Sequence, residues 1–304
     1  MTEAAAPPIL PSGRDEPFQV EGYDVVPHGR YDLVRHDYYS PVPDLTLLPD
    51  DIWERRNRLG GVQMDVDAGM ALIEDGLAEY IAEFDFPEEG PRPPGEFFLG
   101  NTNYGAVDAE LLYAMVRARK PRLVVELGSG MTTLLIGTAA RRNAGDGVAT
   151  EHVAYDPYPR AQILGDAPPP PTRFESKGAT DVTLEDFARL RDGDILFVDT
   201  THTVKLGSDV NYVVLDVLPT LAPGVIVHFH DIFLPWEYPR EWFESMQYFW
   251  AEQYLIQAFL AFNDKFEVLI PANAVAVEHP DRLAKVIPSF VPGRRPGALW
   301  LRRR

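Results

Sequence analysis

The sequence predicts an α/β protein organised around a doubly wound, mostly parallel sheet of seven strands. Short apolar runs alternate with helical patterns over 107–262, as in repeated strand–helix units. The first apolar run, 121–131, ends in a glycine turn that opens into a helix. Two further strand patterns, 265–270 and 297–304, follow with no helix predicted between them. Residues 1–95 precede this alternation and are therefore predicted to lie outside the sheet domain.

The composition of the chain excludes several classes of site and partner. Its 304 residues include no cysteine, which rules out disulfides, a thiol nucleophile and a cysteine-ligated zinc site. The net charge of −18 opposes binding to nucleic acids and anionic membranes, because their phosphates carry the same sign. No apolar run approaches the roughly 20 residues that span a bilayer. The N-terminus lacks the pattern of a signal peptide, so we expect a cytoplasmic protein. Because the charge disfavours nucleic acids and membranes, we expect the partner to be a small molecule.

The glycine turn within 121–131 is the strongest single feature of the sequence. A buried strand leads to Glu126, and Gly128 and Gly130 follow on either side of Ser129. Glycine has no Cβ and reaches positive φ, so the backbone here can approach a ligand closely. The helix that follows adds unpaired N–H groups at the same place. The sequence therefore predicts a ligand cradle between this strand and the following helix.

The turn departs from the fingerprint of dinucleotide-binding proteins, which has a third glycine where this chain has Thr133. The departure disfavours a nicotinamide dehydrogenase.

The next predicted strand ends at Asp156, 30 residues after Glu126, whereas about 20 are expected. The polar segment 141–151 supplies the additional residues. A carboxylate at the end of this strand is suited to accept two hydrogen bonds from ribose hydroxyls.

Helical periodicity and capping residues locate the remaining elements. The candidate N-cap residues are Asp65 or Asp67, Thr183, and Ser208 or Asp209. The predicted helices cover 65–83, 107–119, 183–190, 210–221 and 241–262. The further predicted strands cover 173–179, 194–199 and 225–231. The proline-rich stretch 157–172 is predicted to be a stiff surface connection.

Two neighbouring predicted strands each end in an acid. Asp199 ends the first strand and Asp231 ends the second. His202 follows three residues after Asp199, and His230 directly precedes Asp231. Because the carboxyl ends of parallel strands open onto one crevice, we expect both carboxylates to converge there. Two carboxylates and up to two imidazoles suit Mg²⁺, Mn²⁺ or Fe²⁺, and the histidines favour the last two ions. His228, which alternates with His230, is predicted to be a core histidine or one that supports the site residues from behind.

Four motifs occur in an order that resembles a bacterial group of class I S-adenosylmethionine (SAM)-dependent methyltransferases. They are ELGSG at 126–130, YDPYP at 155–159, the run containing FVDTTH at 194–212, and VIVHFHDIFLPWEYP at 225–239. The resemblance extends from about Tyr38 to the C-terminus. It implies a Rossmann-like sheet closed by an antiparallel C-terminal hairpin, with SAM as the cofactor. The acceptor is not fixed by this resemblance.

The resemblance also implies roles for single residues of the glycine turn and of the strand beside it. Glu126, Gly128, Ser129 and Gly130 would line the methionine end of SAM. Asp156 would bind the ribose. The family often carries a third glycine at the next position but one after Gly130, where this chain has a threonine, so the match to its glycine motif is partial.

One further segment and three further residues take implied roles from the same resemblance. Residues 177–181 would run beside the adenine of SAM, and Asp199 would also contact the cofactor. Asn103 and Tyr104 lie where small metal-dependent O-methyltransferases contact the cofactor from the preceding helix. These assignments place the cofactor across the carboxyl ends of several strands.

Catechol-type O-methyltransferases place metal-binding acids at the ends of the same two strands. This similarity implies a metal site formed by Asp199, His202, His230 and Asp231. His202, His230 and Asp199 are accordingly the predicted catalytic residues. A metal that holds the acceptor oxygen lowers the pKa of its hydroxyl, or a histidine takes the proton directly.

The predicted organisation has three parts. Residues 1–18 form a disordered tail, 19–95 form an extension or cap that contributes to the acceptor pocket, and 96–304 form the methyltransferase domain. The predicted reaction is metal-assisted O-methylation of a small-molecule hydroxyl on a sugar or a natural-product intermediate of secondary metabolism. Alternatives are N- or C-methylation, another use of SAM, and a non-catalytic SAM-binding subunit. Formation of a homo-oligomer is left open.

Overall fold

A computed structural model describes residues 18–20, 23–25, 38–89, 95–160 and 172–304. The contacts divide the chain into one unit over 1–48 and a second over 49–304. In the first unit, strand β1 (Phe18–Val20) pairs antiparallel with β2 (Tyr23–Val25). Leu45–Leu47 form a short 3₁₀ helix capped by Asp44. Most of the predicted tail, residues 1–17, and the proline run 168–171 lie outside the described residues.

The second unit is built on a seven-stranded sheet, which confirms the predicted fold class. Its strands are β3 (Leu123–Leu127), β4 (Glu151–Tyr155), β5 (Thr172–Glu175), β6 (Ile195–Val198), β7 (Ile226–Phe229), β8 (Phe266–Pro271) and β9 (Leu299–Arg303). Their spatial order is β5-β4-β3-β6-β7-β9-β8. The first five strands are parallel, and β9 runs antiparallel to both β7 and β8. The order reverses direction at β3, so a crevice opens between β3 and β6.

Helices cover both faces of the sheet. They are α1 (Val66–Ala71), α2 (Ala78–Ile81), α3 (Asp108–Arg119), α4 (Met131–Gly145), α5 (Leu184–Phe187), α6 (Asp209–Tyr212), α7 (Leu218–Thr220), α8 (Arg240–Glu244), α9 (Glu252–Leu260), α10 (Ala272–Glu278) and α11 (Pro280–Val286). Wider π-helical turns, Leu72–Leu77 and Val213–Val217, join α1 to α2 and α6 to α7. None of the helices in the described ranges combines the length and apolar composition that crossing a bilayer requires.

Three of the predicted helix starts are confirmed by their hydrogen bonds. The Asp65 side chain accepts from the N–H of Ala68, three residues into α1. Thr183 accepts from the N–H of Asp186 at the start of α5, and Ser208 caps α6 in the same way. A short oxygen-bearing side chain at the N-cap satisfies an N–H group that the helix itself leaves unpaired. Local sequence therefore fixes where these helices begin.

The predicted long helix over 241–262 is wrong in its middle. The chain forms α8 and α9, and residues 245–251 between them are irregular. Gln247 adopts a positive φ of 55°, and the N–H groups of Ala251 and Glu252 donate to the main-chain oxygen of His202. These contacts to a distant loop hold the backbone in a bend that local helix propensity alone does not favour.

The predicted C-terminal hairpin is confirmed in its antiparallel pairing and wrong in its connection. Helices α10 and α11 lie between β8 and β9, where no helix was expected. Pro280 occupies the first position of α11, which suits proline because that N–H has no helical partner. The segment ANAVAVE of α10 is too short and too uniformly apolar for its period to distinguish a helix from a strand.

Residues of the predicted extension form part of the hydrophobic core of the second unit. Met70, Ile73 and Leu77 are fully buried and join the same apolar cluster as α3 and Trp300 of β9. Such side chains contribute roughly 1.5–3 kcal/mol each on burial. The helical stretch from α1 to α2 therefore contributes to the core of the second unit, and the predicted boundary at residue 95 stays a prediction.

Candidate functional site

The site lies at the carboxyl ends of three adjacent strands, β3, β6 and β7. The sheet ladder continues one residue past each strand: the N–H of Asp199 donates to the oxygen of Leu127 at 2.9 Å. The N–H of His230 donates to the oxygen of Val198 at 3.0 Å. These bonds bring the glycine turn, Asp199 and His230 side by side at one edge of the sheet, as the sequence predicted for the acids.

The glycine turn after β3 packs directly against the end of β6. Gly128 has a φ of +93°, and a Cβ at this position would lie 1.9 Å from the main-chain oxygen of Asp199. No other residue fits there without displacing the backbone. A Cβ at Gly130 would meet nothing within 4 Å. The turn therefore combines one glycine required by the fold with another beside open space at the start of α4.

Glu126 is fully buried beneath this turn, with a neighbour at each carboxylate oxygen. Its Oε1 accepts a hydrogen bond from the Thr132 hydroxyl at 2.6 Å, and its Oε2 lies 2.9 Å from Nε2 of His152. Nδ1 of His152 in turn lies 2.8 Å from the Thr172 hydroxyl on β5. Glu126 thus links three strands and the first turn of α4. Its predicted place at the methionine end of the cofactor stays a prediction.

Ser129 and Asp156 connect the glycine turn to the end of β4. The Ser129 hydroxyl donates to Oδ2 of Asp156 at 2.6 Å. Oδ1 of Asp156 accepts the N–H of Tyr158 at 2.7 Å. The carboxylate is therefore oriented at the strand end, beside the turn, where ribose binding was predicted. A carboxylate oxygen accepts more than one hydrogen bond, so both contacts leave capacity for a ligand.

Asp199, His230 and Asp231 form the centre of an acidic cluster. Each offers one ligand atom, and these atoms all lie within 4.8 Å of one another. Nδ1 of His230 lies 3.5 Å from an oxygen of each carboxylate. Asp231 has a positive φ of 59° that is uncommon outside glycine. The backbone is thus held in an unfavourable conformation at the point where the two carboxylates meet.

Gly297 explains how Asp231 is held in place. A Cβ at residue 297 would lie 2.9 Å from the α-carbon of Asp231, and the N–H of Ile232 donates to the Gly297 oxygen at 2.8 Å. The chain that enters β9 therefore packs its backbone directly against this acid. A glycine far along the sequence supports a conformation that the motif around Asp231 does not reveal.

His202 lies beside the three central residues and is fixed from several sides. Its Nε2 is 3.1 Å from Asp199 Oδ1 and 3.6 Å from Asp231 Oδ2. Its Nδ1 is 2.8 Å from Oε2 of Glu252, and its ring centroid is 4.3 Å from that of Trp250. The structure thus brings all four predicted metal-site residues together, with one imidazole nitrogen of His202 directed at both acids.

Two carboxylates behind the histidines were not predicted. Glu252, fully buried at the start of α9, contacts Nδ1 of His202. Asp108, at the start of α3, has an oxygen 3.7 Å from Nε2 of His230 and accepts the N–H groups of Gly297 and Ala298. Glu252 lies 50 residues after His202 within a predicted helix, so no spacing rule indicates their contact. Only the bend at 245–251 brings Glu252 to this position.

Charge within the cluster shifts the pKa values in opposite directions. Burial opposes ionisation of Asp199, but the imidazoles of His230 and His202 outweigh it and hold the pKa of the carboxyl well below its usual range. Burial lowers the pKa of His202, yet hydrogen bonds to Asp199 and Glu252 raise it to about 10. Burial raises the pKa of Asp231. The neighbouring carboxylates therefore favour the positively charged form of His202 and of His230, whose pKa is also raised by Asp231 and Asp199.

The two residues predicted to contact the cofactor from the segment before α3, Asn103 and Tyr104, differ in exposure. Asn103 is exposed, and its N–H donates to the side chain of Asn101. Tyr104 is buried, with its ring centroid 4.7 Å from that of His230 and its hydroxyl 3.2 Å from Nε2 of His228. Tyr104 therefore packs behind His230. His228 is fully buried, as predicted, and burial lowers its pKa. The predicted cofactor contacts of Asn103 and Tyr104 stay predictions.

Comparison with known proteins finds a family match for the central part of the chain. A family described as "Methyltransferase domain" matches residues 125–232, from the middle of β3 to just past Asp231. The match spans the glycine turn, Asp156, Asp199 and His230. A comparison with curated proteins finds no match.

Solved structures with some similarity to this chain are also methyltransferases by description. A candidate S-adenosylmethionine-dependent methyltransferase from Listeria monocytogenes is 15% identical to this chain and has a TM-score of 0.33. The match covers 64% of this chain and 95% of the Listeria chain. A methyltransferase from Geobacter sulfurreducens is 16% identical to this chain and has a TM-score of 0.33. The match covers 80% of this chain and 92% of the Geobacter chain. The comparisons thus show a match to a methyltransferase domain over residues 125–232.

Proposed function

We propose that this enzyme transfers a methyl group from SAM to a hydroxyl oxygen of a small molecule, with a divalent cation bound by Asp199, His230 and Asp231. The acceptor is a sugar or a natural-product intermediate. The observation that carries the proposal is the convergence of three ligand atoms within 4.8 Å directly beside the glycine turn. A methyl donor in the turn and an acceptor oxygen at the acids would therefore lie side by side.

The chemistry of the donor set supports a cation at this position. Carboxylate oxygens and imidazole nitrogens are ligands for Mg²⁺, Mn²⁺ and Fe²⁺, and the presence of nitrogen favours the latter two. Such an ion, when bound, lowers the pKa of a hydroxyl that it coordinates. Two carboxylates and an imidazole within 4.8 Å supply enough ligands to hold it while leaving positions for the acceptor.

The carboxylates behind the histidines give further support. Histidines that bind metals usually direct their second ring nitrogen to a carboxylate, a carbonyl or water, which fixes the ring orientation. Glu252 contacts Nδ1 of His202 at 2.8 Å, so Nε2 faces Asp199 and Asp231. Asp108 approaches Nε2 of His230 at 3.7 Å, so Nδ1 faces the same acids. Both imidazoles thus have the arrangement of oriented ligands.

The glycine turn supplies the place for the cofactor. Bound SAM supplies a methyl group already activated by its sulfonium centre. The open space at Gly130 and the first N–H groups of α4 would accommodate its methionine end, while Asp156 would accept from its ribose. The remaining task is alignment, which can lower a barrier by roughly 7–11 kcal/mol. The acceptor hydroxyl must also lose its proton, and His202 or His230 in the neutral form, which the charge of a bound cation favours, would take it.

Methyl transfer from labelled SAM to catechol and to methyl β-D-glucopyranoside tests the proposal. Transfer should require Mn²⁺ or Mg²⁺, stop in EDTA, and fall at least about 100-fold in Asp231→Asn. Glu244→Gln is the control, because this exposed residue contacts Arg240 on the surface. Transfer that survives both EDTA and Asp231→Asn would contradict the role of the cation.

A further inference from the structure

Glu126 and His152 form a buried polar contact beneath the glycine turn. His152 on β4 pairs with Val124 of β3, two residues before Glu126, so both side chains lie on the same face of the sheet. Both residues are fully buried, and Nε2 of His152 lies 2.9 Å from Oε2 of Glu126. Nδ1 of His152 lies 2.8 Å from the hydroxyl of Thr172 on β5. A row of polar side chains across three strands therefore ends at the Glu126 carboxylate.

The other oxygen of Glu126 closes the glycine turn. Oε1 accepts from the Thr132 hydroxyl at 2.6 Å, and Thr132 lies in the first turn of α4. This hydrogen bond joins a residue that precedes the turn to one that follows it. Within the turn, the N–H of Gly130 donates to the hydroxyl of Thr133 at 3.0 Å. Side chains therefore hold the backbone of the turn between the end of β3 and the start of α4.

Burial separates Glu126 from the open side of the turn. Its side chain is 0% exposed, whereas a Cβ on Gly130 would meet nothing within 4 Å. Both of its carboxylate oxygens already have partners within the protein. Buried polar groups whose hydrogen bonds are satisfied make the structure around them rigid. The contacts of Glu126 therefore favour a role in shaping the turn over direct contact with a cofactor.

We propose that His152 and Thr132 are positioning residues for the cofactor. They hold Glu126 beneath the turn, and Glu126 thereby sets the backbone of residues 128–130, against which SAM binds. The Glu126 carboxylate then makes no direct contact with the amino group of SAM. The proposal rests on the proposed function only in placing SAM in this cradle. Methyl transfer does not enter it, so the two proposals can be tested separately.

Substitutions of His152 test the positioning role by calorimetric titration of the full chain with S-adenosylhomocysteine. His152→Leu removes the partner of Oε2 of Glu126, and we expect the affinity to fall at least about 10-fold. His152→Gln places an amide N–H near the position of Nε2, so the affinity should return to within about 3-fold of the natural chain. Thr132→Val removes the partner of Oε1 and should also weaken binding, which keeps the test decisive if His152→Leu does not fold.

Glu126→Gln distinguishes support of the turn from direct contact with the cofactor. The glutamine oxygen can accept from Thr132 and its amide can donate to His152, because a neutral imidazole has one donor and one acceptor nitrogen. The Thr172 hydroxyl can pair with either form of that ring. We therefore expect Glu126→Gln to bind S-adenosylhomocysteine within about 3-fold of the natural chain. A carboxylate paired with the ammonium group of the cofactor would lose at least about 10-fold on this change.

Asn143→Leu is the matched control for loss of stability. Asn143 is also fully buried, but it bonds Arg117 and the main-chain oxygen of Val116 and does not contact the turn. Asn143→Leu should lower the urea midpoint of unfolding, as His152→Leu does, and leave the affinity for S-adenosylhomocysteine unchanged.

The positioning role is overturned if His152→Leu or Thr132→Val weakens binding no more than Asn143→Leu, or if His152→Gln does not restore it. A loss of at least about 10-fold in Glu126→Gln also overturns it. A natural chain that does not bind S-adenosylhomocysteine would count against both this proposal and the proposed function. Binding that depends on His152, without methyl transfer to any acceptor, supports the positioning role and counts only against the proposed function.

Discussion

The α-carbon of Gly128 packs against the main-chain oxygen of Asp199 so closely that a Cβ on Gly128 would lie 1.9 Å from that oxygen. The glycine turn after β3 and the acid after β6 are therefore one structural unit. A side chain at residue 128 would therefore displace the main chain at Asp199. This contact places the predicted cofactor cradle beside Asp199, which itself lies beside His230 and Asp231.

The two glycines of the turn should respond differently to alanine. Gly128→Ala should lower the free energy of unfolding by about 3 kcal/mol or more, because a Cβ collides with Asp199 and the φ of +93° is unfavourable. Gly130→Ala should cost at most about 1 kcal/mol, because its Cβ meets nothing within 4 Å. Urea denaturation measures both values.

Cofactor affinity completes this comparison. If SAM occupies the open space at Gly130, Gly130→Ala should weaken SAM binding at least about 10-fold in a calorimetric titration, since a methyl group enters the cradle. A Gly130→Ala protein that is stable and binds SAM as tightly as the natural chain would place the cofactor elsewhere.

Glu252→Gln should weaken cation binding without removing a ligand. The buried carboxylate contacts Nδ1 of His202 at 2.8 Å, and its second oxygen has no hydrogen-bond partner among the described residues. Loss of such an orienting carboxylate typically lowers metal affinity by about 10- to 100-fold. Electron paramagnetic resonance of Mn²⁺ titrations measures the change, with SAM affinity as the internal reference. Equal Mn²⁺ affinity in Glu252→Gln and the natural chain would exclude His202 from the cation site.

Gly297→Ala should perturb the site from a distance in sequence. The added Cβ would lie 2.9 Å from the α-carbon of Asp231 and would push this residue from its conformation. We expect Mn²⁺ affinity to fall by about 10-fold or more, although no ligand changes. Gly60→Ala is the control, because a Cβ at Gly60 meets nothing within 4 Å. If both variants bind Mn²⁺ alike, the packing at Asp231 has no part in the site.

Acid pH should weaken the attachment of the helical stretch α1–α2 to α3. Glu83 follows α2, and its carboxylate accepts from Arg117 of α3 at 2.9 Å. This hydrogen bond lowers the pKa of Glu83 below its ordinary value of 4.5. The stabilisation is therefore present above that value and is lost as the pH falls through the folded-state pKa.

Glu83→Gln tests this dependence. The variant should be about 1–2 kcal/mol less stable at neutral pH, a value reduced by the partial exposure of the carboxylate. The difference should shrink as the pH falls below 4.5. Urea denaturation at several pH values gives both curves. A difference that stays constant across this range would show that ionisation of Glu83 does not contribute.

Local chemistry explains what the sequence could predict. Strands β3, β6 and β7 are short apolar runs that end in polar residues, and helices at Asp65, Thr183 and Ser208 begin at side chains that cap them. The acids at Asp199 and Asp231 follow from their positions at strand ends, since parallel strands deliver their carboxyl ends to one edge.

Contacts between distant residues explain what the sequence could not predict. The bend at 245–251 depends on hydrogen bonds to His202, and the contact between Glu252 and His202 depends on that bend. Asp108 reaches the site because α3 begins beside the chain that enters β9, where Gly297 and Ala298 donate their N–H groups to its carboxylate. None of these relationships has a fixed spacing in the chain. Tertiary packing therefore completes a site whose first residues are visible as motifs.

A crystal of the full chain grown with Mn²⁺ and S-adenosylhomocysteine tests the central claim most directly. The account predicts an anomalous-scattering peak within bonding distance of Asp199, His230 and Asp231, with the cofactor product in the cradle formed by Gly128 and Gly130. S-adenosylhomocysteine bound in that cradle with no manganese peak at the three residues would contradict it.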